Sequence, residues 1–332
     1  MDRHNSMRKA PPEPFDSTQS LPRVNRGGKL RRRINLPATF ACLGALAGWS
    51  IGPIFIKYLT GYLDSWTQNA LRYSVACLFW LPFLLSSVRA KRLDARVWRR
   101  ALVPAGANVV MQSLWAAAFY YIGPAFMVLL TKTNIIWIAA FSLIAFPEER
   151  TLVRSKRFWM GLALSVTGLV GVMYYRVDLA AARTATGIAI ALAAAFMWGI
   201  YTVSARIAFR DIDSRSAFSV TSIYTSAGLG VFALLFGRVG DCARMRAWQW
   251  ACVVISAVVA IAFAHSSYYA AMKRIGATIP ALVILAQPLI VLAMSSVVFG
   301  ESFRAVQLFF GVVLLIGSAL AISAQQHLKG IQ

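Results

Sequence analysis

A 26-residue apolar stretch occurs twice in this chain, and that duplication limits what it can fold into more than any other feature. The copies are GPAFMVLLTKTNIIWIAAFSLIAFPE, from Gly123 to Glu148, and GATIPALVILAQPLIVLAMSSVVFGE, from Gly276 to Glu301. Their first glycines and last glutamates both stand 153 positions apart, so the copies align without a gap. As a helix, each apolar run of roughly 20 residues crosses about 30 Å of hydrocarbon. The match continues upstream, where Trp115-Ala116-Ala117-Ala118 answers Tyr268-Tyr269-Ala270-Ala271, so two adjacent helices are duplicated together. Nearer the start of each half, Trp49 and Lys57 answer Trp198 and Arg206, both at an offset of 149. A small insertion between the two anchors absorbs the difference. The chain reads as a tandem repeat of a unit of about 150 residues.

Composition says where such a unit lives. Hydrophobic residues make up 58% and charged residues 14%, with a mean hydropathy of +0.62, far from the balance of a soluble domain and that of an integral membrane protein. The formal charge of +22 invites a nucleic-acid reading, but the cations gather in the N-terminal segment and in short loops between apolar spans. That is the distribution of cytoplasmic loops, and no nucleic-acid partner is expected. The four cysteines, Cys42, Cys77, Cys242 and Cys252, form no spaced pairs, so neither a disulfide framework nor a metal site is implied. Residues 1–35 are polar and basic, ending in Lys29-Leu30-Arg31-Arg32-Arg33, and read as a disordered tail. The apolar run that follows is too long for a cleaved signal and reads as a first span.

Ten apolar windows follow in order: Leu36 to Leu59, Ser65 to Ser87, Ala101 to Ile122, Pro124 to Phe146, Phe158 to Tyr175, Gly187 to Phe209, Ala217 to Phe236, Trp250 to Met272, Ala277 to Phe299 and Ala305 to Ser323. Loops after the even-numbered spans carry most of the lysines and arginines, which places both termini in the cytoplasm. The expected fold is an all-α membrane protein of ten transmembrane helices, built from a first five-helix repeat over residues 36–176 and a second over 187–324. Five spans is an odd number, so the second repeat enters the membrane from the opposite side and the two are inverted. Secondary transporters with this design bind substrate near the midplane, where the repeats meet.

The chain resembles the EamA-type family of the drug/metabolite transporter superfamily. The residues that carry the resemblance are Trp49 with Lys57 at the end of the first span, Arg72 in the second, Trp198 with Arg206 in the sixth, and Gly276 through Gln287-Pro288 to Gly300-Glu301. The resemblance covers about Leu36 to Ser323. It implies a ten-helix carrier of the cell (inner) membrane, with a central cavity lined by the first, third, fourth, sixth, eighth and ninth helices, exporting or exchanging amino acids, drugs and other metabolites. One departure is plain: Ile135 occupies the position answering Pro288, where the family often has proline in both copies. The fourth helix is therefore expected to lack the kink of the ninth. Pro53 is a second kink position, in the first span.

All twelve acidic residues fall in the tail, in loops or at helix ends. A carrier of organic cations, or one driven by an intramembrane carboxylate, needs such a group in mid-membrane, so both versions are disfavoured. Lys132 is the deepest charge, about 12 Å into the fourth span at about 1.5 Å per residue. Leaving it unpaired there costs on the order of 3 kcal/mol, which makes it the candidate partner of a substrate carboxylate or other anion. A lysine that snorkels or bonds backbone carbonyls explains it equally simply. Polar and aromatic residues also pair across the repeats: Gln112 answers His265, Asn134 answers Gln287, and Trp115 answers Tyr268. With Trp49 and Trp198 they are candidates to line a cavity, or to bond one another between helices. His265 is the one histidine inside a span and hence the one candidate for proton coupling, against a packing role. Arg72 reads as structural, and Lys57 and Arg206 as caps on helix ends.

The expected function is a secondary transporter, in the export direction, for amino acids or other anionic or zwitterionic metabolites, with a small-molecule substrate, the lipid bilayer as surroundings and no cofactor. The alternative is a non-transporting membrane scaffold whose basic tail holds a partner or lipid. Deleting the tail separates the two, since a carrier keeps transport and an anchor loses its function. An enzyme is disfavoured, because no nucleophile or metal-ligand cluster is readable.

Overall fold

The structure is a computed structural model, and its description covers residues 36–90, 93–147, 150, 154–175, 182–210, 212, 214–275, 280 and 283–329. The basic tail expected to be disordered lies outside the described residues. Among those described, all regular structure is helical: α1 Leu36–Leu59, α2 Ser65–Arg89, α3 Ala95–Ala118, α4 Pro124–Thr131, α5 Asn134–Ala145, α6 Lys156–Tyr174, α7 Ala182–Ala208, α8 Ser214–Phe236, α9 Ala247–Ser256, a π-helical stretch Ala257–Phe263, α10 Ala264–Ile275, α11 Gln287–Phe299 and α12 Ala305–Lys329.

Nine of the described spans are long and apolar enough to cross a membrane, and the apolar helix Gln287–Phe299 adds a shorter one. Large apolar side chains stand exposed on their outer faces, among them Phe40, Ile144, Leu234 and Val297. Only hydrocarbon solvates such a surface at no cost, so this is a multi-pass membrane protein. The helices start where short polar side chains cap them. Asp64 accepts from the Trp66 and Thr67 amides at 2.9 and 3.0 Å to open α2, and Asp94 accepts from Arg96 N at 3.1 Å to open α3. The Asp94 cap starts α3 six residues before the expected Ala101. Its first turns carry the exposed Arg96, Arg99 and Arg100, beyond the apolar run that set the expectation.

The helices of one half pack on those of the other: α1 on α10, α3 on α7, α2 on α8 and α6 on α12. Several contacts occur between equivalent residues. Ser165 and Ser318, 153 apart, meet at 3.4 Å between their hydroxyls, and Ser74 meets Ser226, 152 apart, at 3.1 Å. In the α6–α12 seam Gly161 lies against the Ala321 backbone and Gly168 against that of Leu314. Leu314 answers Gly161 and Ala321 answers Gly168, so one contact is made twice with the halves exchanged.

The expectation of a straight fourth helix is wrong. In the first half α4 ends at Thr131 and α5 begins at Asn134; in the second, the turn at Leu285 and Ala286 gives way to α11 at Gln287, again 153 positions on. Pro288 breaks the second copy by lacking an N–H. The first copy uses threonines. Thr131 and Thr133 hydroxyls donate to the Val128 and Leu130 carbonyls, each at 2.8 Å, while the Lys132 and Thr133 amides bond three residues back at 3.1 Å. Such back-bonding competes with the helical ladder and bends it.

A difference between the halves lies in the third span of each. Trp98 near the start of α3 answers Trp250 at an offset of 152, whereas Gln112 answers His265 at 153. The one extra residue falls where the π-helical stretch lies, and a π turn is how a helix absorbs an insertion.

Candidate functional site

Pro53 removes an amide from the middle of α1, which leaves the carbonyl four residues back, that of Trp49, without its helical partner. Gln287, the first residue of α11, supplies the missing donor: its Nε2 donates to Trp49 O at 2.7 Å. The other end of the same amide accepts from Lys132 Nζ at 2.8 Å. A single relay, Lys132 to Gln287 to the Trp49 carbonyl, thus joins the break between α4 and α5, the break before α11 and the proline turn of α1. Gln287 is buried and Lys132 half-buried. The bond to Gln287 is the only hydrogen bond Lys132 makes to the described protein, leaving two ammonium donors unused.

Aromatic rings surround this relay. The Trp49 indole packs on Tyr268 with centroids 4.9 Å apart and meets His265 edge-on at 5.1 Å. His265 stacks on Phe218 at 4.8 Å, and its Nδ1 lies 2.7 Å from the Ile261 carbonyl, an acceptor only, so Nδ1 carries the hydrogen. On the other side Trp115 packs on Trp198 at 5.9 Å and on Phe119 at 5.7 Å. Trp198 answers Trp49 and Trp115 answers Tyr268, so the two aromatic pairs are one contact with the halves exchanged. The structure therefore links Lys132, Gln287, Trp49, Tyr268 and His265, and sets Trp115 with Trp198. Gln112 on α3 and Asn134 at the head of α5 are both half-buried, and neither has a hydrogen bond or ring contact to that group. Asn108, one turn before Gln112 on α3, is buried and donates to Thr225 Oγ1 on α8 at 2.9 Å, a contact between helices.

One end of the bundle is tied together by groups that the sequence showed only as helix-end or loop residues. Glu301 follows the left-handed Gly300 (φ 67°) that terminates α11, and its carboxylate accepts from the Ala125 and Phe126 amides at 3.0 and 3.1 Å and from Ser295 Oγ at 2.6 Å. It caps the start of α4 across the repeats, where a negative charge meets the positive end of the helix dipole. Gly123 is required for the approach, since a Cβ there would overlap the carboxylate. Lys57 donates to the Phe119 and Ile122 carbonyls at 2.7 and 3.4 Å, capping the end of α3 rather than its own helix. Asp64 also crosses the halves, accepting from Arg238 N at 2.8 Å and from Thr67 Oγ1 at 2.6 Å. Burial pushes the Asp64 carboxyl up, but bonds from Thr67, Arg238 and Trp66 outweigh it and hold the group below its ordinary value. Arg206, the counterpart of Lys57, lies with its guanidinium 3.8 Å from the Phe146 ring centre.

Set beside known proteins, the chain has no match among curated proteins. A solved chain described as "Crystal structure of protein" superposes with a TM-score of 0.62 over 88% of this chain and 98% of that one, at 19% identity, which shows a shared fold and nothing finer. The model of the EamA-like transporter family matches twice, over residues 36–174 and 185–323. The duplication, the paired helix breaks and those two matches agree: the chain belongs to the EamA-like transporter family.

Proposed function

We propose that the protein carries small anionic or zwitterionic metabolites, amino acids among them, by alternating access around the Lys132–Gln287–Trp49 relay. The observation that carries this reading is Lys132 itself. Its ammonium is set where two broken helices meet the proline-containing α1, held by a neutral amide, with no carboxylate among its bonds to the described protein and two donors to spare. A substrate carboxylate is the complement of such a group, and the Trp49 and Tyr268 rings offer an apolar wall for the rest of a small ligand.

Ten spans in two inverted five-helix repeats give the frame for this motion, with residues 36–176 and 187–324 as the repeats. Contacts made twice with the halves exchanged are what a two-fold axis in the membrane plane produces: Trp49 on Tyr268 and Trp198 on Trp115, Gly161 on Ala321 and Gly168 on Leu314. The breaks at Lys132 and Leu285 are the places where each repeat can bend. In the orientation favoured by the loop cations, both termini are cytoplasmic and the end tied by Glu301, Lys57 and Asp64 faces outward from the inner membrane. The export direction rests on the family resemblance.

The test is transport by the purified protein in liposomes, using counterflow of labelled amino acids, organic acids and cationic compounds. The expected result is saturable counterflow of one anionic or zwitterionic class that Lys132→Ala abolishes. Movement of none of the panel, or of cations with equal rates in Lys132→Ala, overturns the reading.

A further inference from the structure

Arg72 lies seven residues into α2, about 10 Å from its first residue at about 1.5 Å per residue, and is 3% exposed. A guanidinium keeps its proton in any protein environment, so this side chain is a permanent cation inside the apolar bundle. Its one hydrogen bond runs from Nε to Ser256 Oγ at 3.0 Å, a neutral acceptor whose own hydroxyl donates to Val253 O at 3.0 Å. The two terminal nitrogens make no hydrogen bond to the described protein, and no carboxylate pairs with them. None is available within the span, because all twelve acidic residues stand in the tail, in loops or at helix ends.

One turn earlier on the same face, Asn69 is fully buried, and neither its amide oxygen nor its nitrogen has a partner. A buried amide left unbonded is destabilising, and an unpaired buried charge more so. A ligand that accepts hydrogen bonds and carries a negative charge offsets the guanidinium charge and partners the Asn69 amide nitrogen. Ser256, which holds the inner edge of the guanidinium, is the last residue before the π-helical stretch, and π turns recur at functional sites. The feature is not duplicated: at the offset of 152 that relates Ser74 to Ser226, Tyr224 stands where Arg72 does.

We propose that Arg72 and Asn69 form a binding site for a small monovalent anion, a halide or a carboxylate, bonded by the terminal N–H groups of Arg72 and the Asn69 amide where α2 packs on α9. The two cations have different partners, Ser256 on α9 for Arg72 and Gln287 on α11 for Lys132.

The experiment follows the thermal midpoint of the detergent-purified protein at fixed ionic strength while gluconate is replaced by chloride, bromide or acetate. The expected result is a saturable rise of about 3 °C at tenfold the half-saturating concentration, absent in Arg72→Gln and shifted to higher concentration in Asn69→Ala. If Arg72→Gln does not fold, Asn69→Ala and anomalous scattering from bromide carry the test, with a peak expected at hydrogen-bonding distance from Arg72. Acetate acting like chloride identifies a carboxylate subsite, whereas a response confined to halides identifies an inorganic counter-ion. No anion-specific rise in the wild type, the same rise in Arg72→Gln, or bromide bound only elsewhere would overturn the proposal.

Discussion

The two halves of the molecule share their mechanics and divide their chemistry. Both break the same helix at the same position, and each lays an aromatic residue of its first helix on one from the other half. Yet Leu285 stands where Lys132 does, Tyr224 where Arg72 does, and the helix of α9 and α10 takes in an extra residue that α3 lacks. The bend positions survive divergence of the residues that cause them, threonine back-bonding in one copy and proline in the other. Lys132 and Arg72, the cations furthest from the ends of their spans, both belong to the first half. The duplicated frame thus sets where the helices break, and single-copy substitutions set where Lys132 and Arg72 stand.

The comparison is sharpest at Lys132. Lys132→Leu makes the first half match the second, and counterflow is expected to fall by about 30-fold or more, the effect of losing a charged partner buried with its ligand at about 2–5 kcal/mol. Retained transport would show that the asymmetry carries no chemistry. Next comes the seal between the halves. Gly123→Ala displaces the Glu301 carboxylate and is expected to cost about 1–3 kcal/mol, with Glu301→Gln milder at about 1 kcal/mol, both read as lowered thermal midpoints. Equal stability in all three proteins would remove the seal from the comparison.

Pro53→Ala tests the relay from its far end. The restored amide competes for the Trp49 carbonyl, so transport is expected to fall severalfold while stability changes by less than about 1 kcal/mol. Gln287→Leu added to Pro53→Ala should then cost less than it does alone, and strict additivity in this double-mutant cycle would disconnect the two residues. The smallest effect concerns Asp64. Its carboxyl is held below the ordinary value, so its contribution is fully present above the unfolded-state value of about 4 and is lost as pH falls through the lower folded-state value. Acid unfolding should therefore be less steep in Asp64→Asn below about pH 4, and identical curves would contradict the assignment.

Much of this was legible from the sequence for physical reasons. A lipid-facing helix must be apolar along its whole length, so α1 was placed to the residue at Leu36–Leu59, and the ungapped offset of 153 paired Trp115 with Tyr268 and Asn134 with Gln287. The start of α3 was missed because its Asp94 cap lies outside the apolar run. The bend at Thr131 and Thr133 was missed because proline was taken as the sign of a kink, while threonines occur in straight helices too. Pro53 does announce a free carbonyl at Trp49, but only the fold shows that Gln287 reaches it. The sequence pairs Gln112 with His265 and Asn134 with Gln287, but pairing alone does not say which neighbours a half-buried amide meets.

The experiment to do first is thermal stabilisation of the detergent-purified protein across amino acids, organic acids, nucleotides and cationic drugs, with Lys132→Ala measured beside the wild type. Ligand bound to the native state raises its apparent stability by mass action. One anionic or zwitterionic class should raise the wild-type midpoint and leave Lys132→Ala unmoved. Stabilisation by cations alone, or an equal rise in the variant, would contradict a substrate site at Lys132.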